Sequence, residues 1–399
     1  MINASPEPSL KGIRILDLTR VWAGPLTTRI FGDYGAEIIK ISDPRVPLVM
    51  DNGLNNKLNR NKNNVGLRLD KPEGRSIFLD LVQISDIVIE NFRPRVMRNL
   101  ELTYEDLNEL NPNIIMCSMP GFGLTGPYSE YPAFGTTAEA LAGLPYLTGY
   151  DSKTPISTGI AYGDPISGLN AVGVLMAALR QKSKHGIGQH LDIALAASPV
   201  CNLGEYFIAR SAGQPEPINN GNKSESMSPH GVYPTKGIDN WIAITVENSN
   251  QWIALSKTIA TEKLTLSEFT DITIRKEKES LIDEEISAWT SKRHGRHVMQ
   301  ILQNVGVPAG IVSNNKDMLN DPHLDQREIF ITLDEQHYGP KKYDAQSIPG
   351  NYTPKSEWYP IRDVGQNSEF TLRKLLGYSS TLCKILQEKE IVLFQPQLI

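Results

Sequence analysis

Four short apolar runs punctuate the N-terminal third of the chain: 13-IRILDL-18, 37-EIIKIS-42, 87-IVIEN-91 and 114-IIMCSM-119. Stretches of helical character lie between them. Pro25 and Gly35 stand where a helix after the first run would start and stop. In 72-PEGRSIFLDLVQIS-85, Ile77, Phe78, Leu81 and Val82 recur at helical spacing ahead of the third run. The segment 103-TYEDLNEL-110 opens on Thr103 with Asp106 three residues later, close to a capping box. A strand that reads as a continuous apolar run must be covered on both faces. Helices alternating with such strands provide that cover in a parallel sheet with crossover connections. The expected class is therefore α/β.

Two longer helical patterns follow, roughly 134–144 and 165–183, and 189-QHLDIAL-195 reads as a strand running into a helix. Residues 211–240 are a break in texture, rich in Gly, Pro, Asn and Ser, and read as a linker or inter-domain loop. Beyond it, 241-WIAITV-246 is a strand candidate followed by short helices to about 305, as expected of a separate small domain. A strand returns at 309-AGIVS-313, and a last helix is expected near 370–388.

Composition excludes several classes. Hydrophobic residues make up 40% and charged residues 21%, enough for an ordinary globular core. The cysteines, Cys117, Cys201 and Cys383, are scattered, odd in number and without a C-x-x-C, so neither a disulfide framework nor a metal site is expected. The first residues, MINASPEPSLKG, are polar and unlike a signal peptide, and the longest strongly apolar stretch, 171-AVGVLMAAL-179, is too short for a membrane span. A net charge of −5 argues against nucleic-acid binding. A cytoplasmic protein is expected. Lys57, Arg60, Lys62, Arg68, Lys71, Arg75, Arg93, Arg95 and Arg98 nevertheless crowd one segment. That density suits a small polyanion such as a phosphorylated cofactor, or equally a solvated basic face.

Two motifs bear on chemistry. The stretch 121-GFGLTGPY-128 contains G-x-G-x-x-G, but Pro127 breaks the helix that a dinucleotide fingerprint needs, and the motif follows the fourth strand, not the first. A nicotinamide or flavin enzyme is not indicated. The glycines read as a sharp loop at the carboxyl end of a strand. In 159-GIAYGDPISG-168, Asp164 precedes Pro165 at a helix start, where Asp as N-cap and Pro at the first helical position are expected. A helix N-terminus also stabilises an ionised carboxylate, and such a carboxylate is a competent nucleophile toward an activated acyl group. Gly163 and Gly168 would let a substrate approach the backbone closely.

Taken together, 12-GIRILDLTRVWAGP-25, 35-GAEIIKI-41, 59-NRNK-62, 72-PEGR-75, 86-DIVIENFRP-94, 121-GFGLTGPY-128, 159-GIAYGDPISG-168 and 186-GIGQHLDIAL-195 resemble the class III coenzyme A transferases, the formyl-CoA/carnitine-CoA (CaiB/BaiF-type) family. Fainter echoes continue in 230-HGVY-233, 306-GVPAGIV-312 and 377-GY-378. The resemblance implies a Rossmann-like large domain with a parallel sheet, a smaller α+β domain, and a homodimer of interlocked rings. On that pattern residues 1–210 form the first part of the large domain, 211–235 a linker and 236–310 the small domain, and 311–399 return to the large domain. It also implies transfer of coenzyme A from an acyl-CoA to a carboxylic acid through an aspartyl anhydride and an aspartyl-CoA thioester on Asp164, with no permanently bound cofactor. By the same resemblance Val21, Trp22, Ala23, Arg45, Leu67, Asp70, Asn91, Phe92, Arg93, Arg98 and Thr136 are CoA-binding candidates.

The chain departs from the family pattern at several places. An arginine that follows the second strand directly in many members is displaced to Arg45, within 42-SDPR-45. Arg98 falls one residue short of another family arginine, and Arg95 replaces a usual glycine. Trp22 stands where oxalate-type members carry glutamine, and 226-SMSPHGVYP-234 stands where they carry a glycine-rich loop. The expected acceptor is therefore an acid larger or more apolar than oxalate. His230 is a candidate general base, and Glu139, the lone acid of an apolar helix, could assist at the acyl group or sit in solvent. The alternatives are an α-methylacyl-CoA racemase, whose histidine is missing because no histidine precedes His185, and a non-catalytic CoA-binding homologue.

Overall fold

The computed structural model describes residues 7–46, 52–151, 154–215, 219, 221–346, 348 and 358–395. The expected apolar runs become β1 (Arg14–Asp17), β2 (Glu37–Ser42), β4 (Ile87–Glu90) and β5 (Ile115–Ser118). β3 (Lys62–Leu67) and β6 (Gln189–Asp192) complete the parallel set in the order β3-β2-β1-β4-β5-β6, and β12 (Val392–Leu393) pairs antiparallel on the β3 edge. This is the doubly wound order, whose direction of strand addition reverses between β1 and β4.

Alternate strand residues point to opposite faces, and both faces are apolar. Leu16, Ile39, Val88 and Met116 pack on one side with α3 (Pro72–Gln83), α5 (Tyr104–Leu110) and the Ser380–Glu388 helix. Ile15, Ile38, Ile87, Ile89 and Cys117 pack on the other with α1 (Ala23–Asp33), α6 (Gly135–Ala142) and α7 (Gly163–His185). The capping box of α5 forms as expected, Thr103 and Asp106 each satisfying the other's backbone amide. Two shorter helices are α2 (Gly53–Asn59), ahead of β3, and α4 (Pro94–Asn99), after β4.

β3 lacks an apolar signature because its sequence, KNNVGL, carries three polar residues. Lys62 and Asn64 are buried with partners. The Asn64 amide donates to Asn367, the Asn64 side chain donates to the Arg362 carbonyl, and Lys62 pairs with Asp17. C-terminal residues thus cover a strand whose sequence is half polar.

The chain divides into two compact units. One comprises 1–145, 157–215 and 326–399, and the other 146–156 and 216–325. The smaller unit contains an antiparallel sheet in the order β7 (His230–Pro234), β8 (Trp241–Thr245), β9 (Ala309–Val312). Helices pack on it around Trp252, Leu255, Phe269, Ile282 and Val298. β7 lies inside the stretch that reads as a linker. The larger unit also carries a hairpin, β10 (Phe330–Glu335) with β11 (Gly339–Asp344).

Candidate active site

Asp164 is the second residue of α7 and is only 6% exposed. The helix begins two residues earlier than expected, with Tyr162 at the N-cap, so Asp164 does not cap its own helix. Its carboxylate instead accepts from the first residues of two other helices. The Ala23 amide of α1 donates at 3.2 Å, and the Gly135 amide of α6 also donates. The close approach requires glycine at 135, because a Cβ there would stand 2.0 Å from Oδ2. No salt bridge reaches Asp164 among the described residues. Burial raises its pKa above the ordinary carboxylate value, the two amides pull the other way, and Glu139 adds repulsion. The result is a desolvated carboxylate of enhanced basicity, fixed by backbone dipoles alone.

The other two glycines serve packing. A Cβ on Gly168 would meet the Ala23 carbonyl at 2.8 Å, and one on Gly163 would meet the Gly135 carbonyl at 3.0 Å. They let α1 and α6 close against α7, which corrects the expectation that they clear space for substrate.

Glu139 is not solvated. It is fully buried on α6 and accepts from Ser157 Oγ at 3.3 Å, Thr158 Oγ1 at 3.0 Å and the Tyr162 amide. It therefore gathers the loop that delivers Asp164. That loop includes Ala161 at φ 29°, and Val21, two residues before Ala23, sits at φ 69°. Both are sparsely populated conformations for residues with a side chain, of a kind that clusters at functional sites. Val21 is exposed, Trp22 is half-buried as the N-cap of α1, and Thr136 is exposed in the first turn of α6. Val21, Trp22, Ala23, Thr136, Glu139 and Asp164 thus belong to segments that meet at one place.

A second group surrounds a cleft of about 300 Å³ at the carboxyl ends of β1 to β4, around the reversal of strand order. Arg45, Leu67, Asp70 and Phe92 line it together with Arg20 and Asp43, which the sequence did not single out. Asn91 braces the reversal point: its Oδ1 accepts from the Arg20 amide at 2.8 Å and its Nδ2 donates to the Arg20 carbonyl at 2.7 Å. Glu90, buried below, accepts from the Phe92 amide at 2.7 Å, and burial pushes its pKa up to about 7. On the rim, Arg45 is held by Asp43 (2.6 Å) and Asp70 (3.3 Å), and Arg68 by Asp70 (2.7 Å). These cations are self-neutralised, Arg45 exposed and Arg68 partly buried, and pairs open to solvent in this way are weak enough to be exchanged for a phosphate.

Two of the remaining candidates lie outside the cleft. Arg93 is the N-cap residue of α4, and Arg98 is engaged by Glu130; neither lines the cleft. His230 begins β7 in the smaller unit, where its Nδ1 meets the Asn222 carbonyl. Two members of the basic segment are internal: Arg60 is buried against Asp33 at 2.7 Å with its guanidinium over Trp358, and Lys62 is buried against Asp17. In 121-GFGLTGPY-128, Gly123 and Gly126 have φ of 87° and 95°, as a sharp loop requires. Gly121 packs on Ala133, two residues before Gly135, so this loop supports the start of α6.

A doubly wound sheet with a cleft at its topological reversal, and a buried carboxylate held by the Ala23 amide a few residues past β1, are features of an α/β enzyme. The CoA-transferase family III model matches residues 10–362, and the chain belongs to that family. The chain is 29% identical to succinyl-CoA:glutarate CoA-transferase of Homo sapiens, over 95% of this chain and 88% of that one. It is 28% identical to succinyl-CoA–D-citramalate CoA-transferase of Chloroflexus aurantiacus, over 98% and 100%. A CAIB/BAIF family protein from Brucella suis has the same fold, with a TM-score of 0.74 and 26% identity over 87% of this chain and 97% of that one. Among the described residues no helix is long and apolar enough to cross a membrane, and no cluster of metal-ligating side chains occurs.

Proposed function

We propose that this chain moves coenzyme A from an acyl-CoA to a carboxylic acid, with Asp164 as the covalent relay. The observation that carries the reading is the isolation of Asp164: buried, without a salt bridge among the described residues and oriented by two backbone amides. The carboxylate attacks the thioester carbonyl, the C–S bond breaks, and a mixed anhydride forms while CoA leaves as its thiolate. That thiolate attacks the aspartyl carbonyl, releasing the donor acid and leaving an aspartyl-CoA thioester. The acceptor carboxylate then repeats the exchange in reverse and restores Asp164. Each step exchanges one acyl bond for another, so no external reductant, oxidant or resident cofactor enters the balance. Coenzyme A lies in the 300 Å³ cleft with its phosphates toward Arg20, Arg45 and Arg68 and its sulfur toward Val21–Ala23. Glu139 acts as a positioning residue through the loop at 157–162.

The names of the relatives above favour succinyl-CoA as donor and a short dicarboxylic acid as acceptor. Trp22, beside the amide that holds Asp164, is the residue placed to shape the acyl pocket. The racemase reading lacks support, since no histidine bonds to Asp164 among the described residues. The working form is a homodimer of interlocked rings. The larger unit leaves Leu169, Val174 and Met176 of α7 and Tyr206, Phe207 and Ile208 exposed, apolar side chains that a dimer interface would cover.

Incubation with succinyl-CoA followed by hydroxylamine should convert residue 164 to a hydroxamate detectable by peptide mass. Transfer activity that survives Asp164→Asn, with residue 164 unmodified in the wild type, would overturn the relay. Light scattering of the purified protein should give twice the chain mass.

A further inference from the structure

The smaller unit contains a cleft of about 220 Å³ that shares no residue with the Asp164 site. It opens at the end of the β7-β8-β9 sheet, between Trp241 and the start of the Gly295–Asn304 helix. We infer that this cleft binds a small doubly charged oxyanion, a phosphate group or a short dicarboxylate, between that helix N-terminus, the Thr235 hydroxyl and Lys236.

The helix is ten residues long and begins without a side-chain cap, because His294 stands at the N-cap position and makes no capping bond. The Gly295 and Arg296 amides consequently have no protein acceptor among the described residues. Open amides and the helix dipole together favour an anion. A separate observation points the same way. Thr235 lines the cleft and is only 4% exposed, yet its Oγ1 has no hydrogen-bond partner among the described residues. It faces the helix start closely enough that a Cβ on Gly295 would stand 3.3 Å from it. A buried hydroxyl without a partner is uncommon and costly, and an oxyanion seated on the helix would accept from it.

The surrounding charge fits. Lys236 is exposed on the cleft wall and makes no salt bridge among the described residues. Arg296 gives one guanidinium nitrogen to Asp321 at 3.1 Å and keeps further donors. The one carboxylate on the wall, Asp317, is turned onto the Asn314 amide at 3.2 Å in a capping box. Trp241 supplies an apolar side, with its indole N–H donated to Asp239 at 2.8 Å. This inference does not depend on the Asp164 reading.

The test is an anion titration of the full chain. Inorganic phosphate and succinate are added separately, and the fluorescence due to Trp241 is taken as the difference from Trp241→Phe. A saturable change is expected with at least one anion, and the one that saturates names the source. Lys236→Glu, a surface charge reversal, should weaken binding by about tenfold or more, and Thr235→Val should weaken it while Thr235→Ser retains it. Absence of any saturable Trp241 signal overturns the proposal. So does wild-type affinity in Lys236→Glu, or in a folded Thr235→Val, since either outcome reduces the effect to diffuse surface charge.

Discussion

Asp17 and Asp164 are both buried in the larger unit, and they are held in opposite ways. Asp17, at the end of β1, accepts from the Thr19 amide (2.8 Å) and hydroxyl (2.6 Å), from Thr28 Oγ1 (2.7 Å) and from Lys62 Nζ (2.9 Å), with Lys40 Nζ at 3.6 Å. Burial alone would raise its pKa, but Lys40, Lys62 and the two hydroxyls outweigh it and hold the group well below the carboxylate range. Asp164 has two amides and no cation, and burial wins. A carboxylate saturated with charge-assisted bonds is an immobile structural anchor. One that is desolvated and partly satisfied retains basicity that an incoming electrophile can use. The same residue type is therefore a tie rod in one place and a nucleophile in the other.

Substitutions can break that contrast. Asp164→Asn should lower kcat by roughly 10⁴-fold or more, as removal of a covalent nucleophile does, while thermal unfolding shows little loss of stability. Asp17→Asn should do the reverse: it leaves Lys40 and Lys62 buried without their carboxylate and should cost about 3–5 kcal/mol in denaturant unfolding. Equal activity losses in the two variants, at matched folded fraction, would erase the distinction.

Glu90 sharpens the comparison as a third buried carboxyl with its own sign. Its pKa is about 7 in the folded chain against an ordinary 4.5, so the native state holds the proton more tightly than the unfolded chain. That contribution is complete below about pH 4.5 and disappears as pH rises through 7, amounting to about 3 kcal/mol. Stability profiles of wild type and Glu90→Gln should therefore diverge across this window, the variant gaining relative to wild type toward alkaline pH. Parallel profiles would contradict the burial assignment. Gly135→Ala tests the cradle of Asp164 itself. A methyl aimed at a carboxylate oxygen 2.0 Å away must displace the side chain or α6, and kcat/KM should fall about a hundredfold, with a smaller loss in Tm. Wild-type kinetics in that variant would mean that the Gly135 contact is dispensable.

What could be read in advance follows from how the signals arise. β1, β2, β4 and β5 were legible because strands covered on both faces must be apolar throughout. β3 was not, because its Lys62, Asn63 and Asn64 find partners in segments far along the chain. Asp164 was legible as an acid at a helix start, but its cradle was not: Ala23 lies 141 residues away, and Gly135 carries no polar side chain. Glu139 was ambiguous for a related reason. An acid on an apolar helix is solvent-facing unless a loop wraps it, and the wrapping by Ser157, Thr158 and Tyr162 is a tertiary event.

The sequence by itself therefore determined the α/β alternation, the capping box of α5 and the family, since these rest on local periodicity, caps and ordered short motifs. Only the tertiary structure decided which buried aspartate is tied to cations and which is not, which basic residues face a cleft, and where an uncapped helix meets an unpartnered hydroxyl. Those properties depend on which groups exclude water from one another across the sheet, and linear spacing does not encode that.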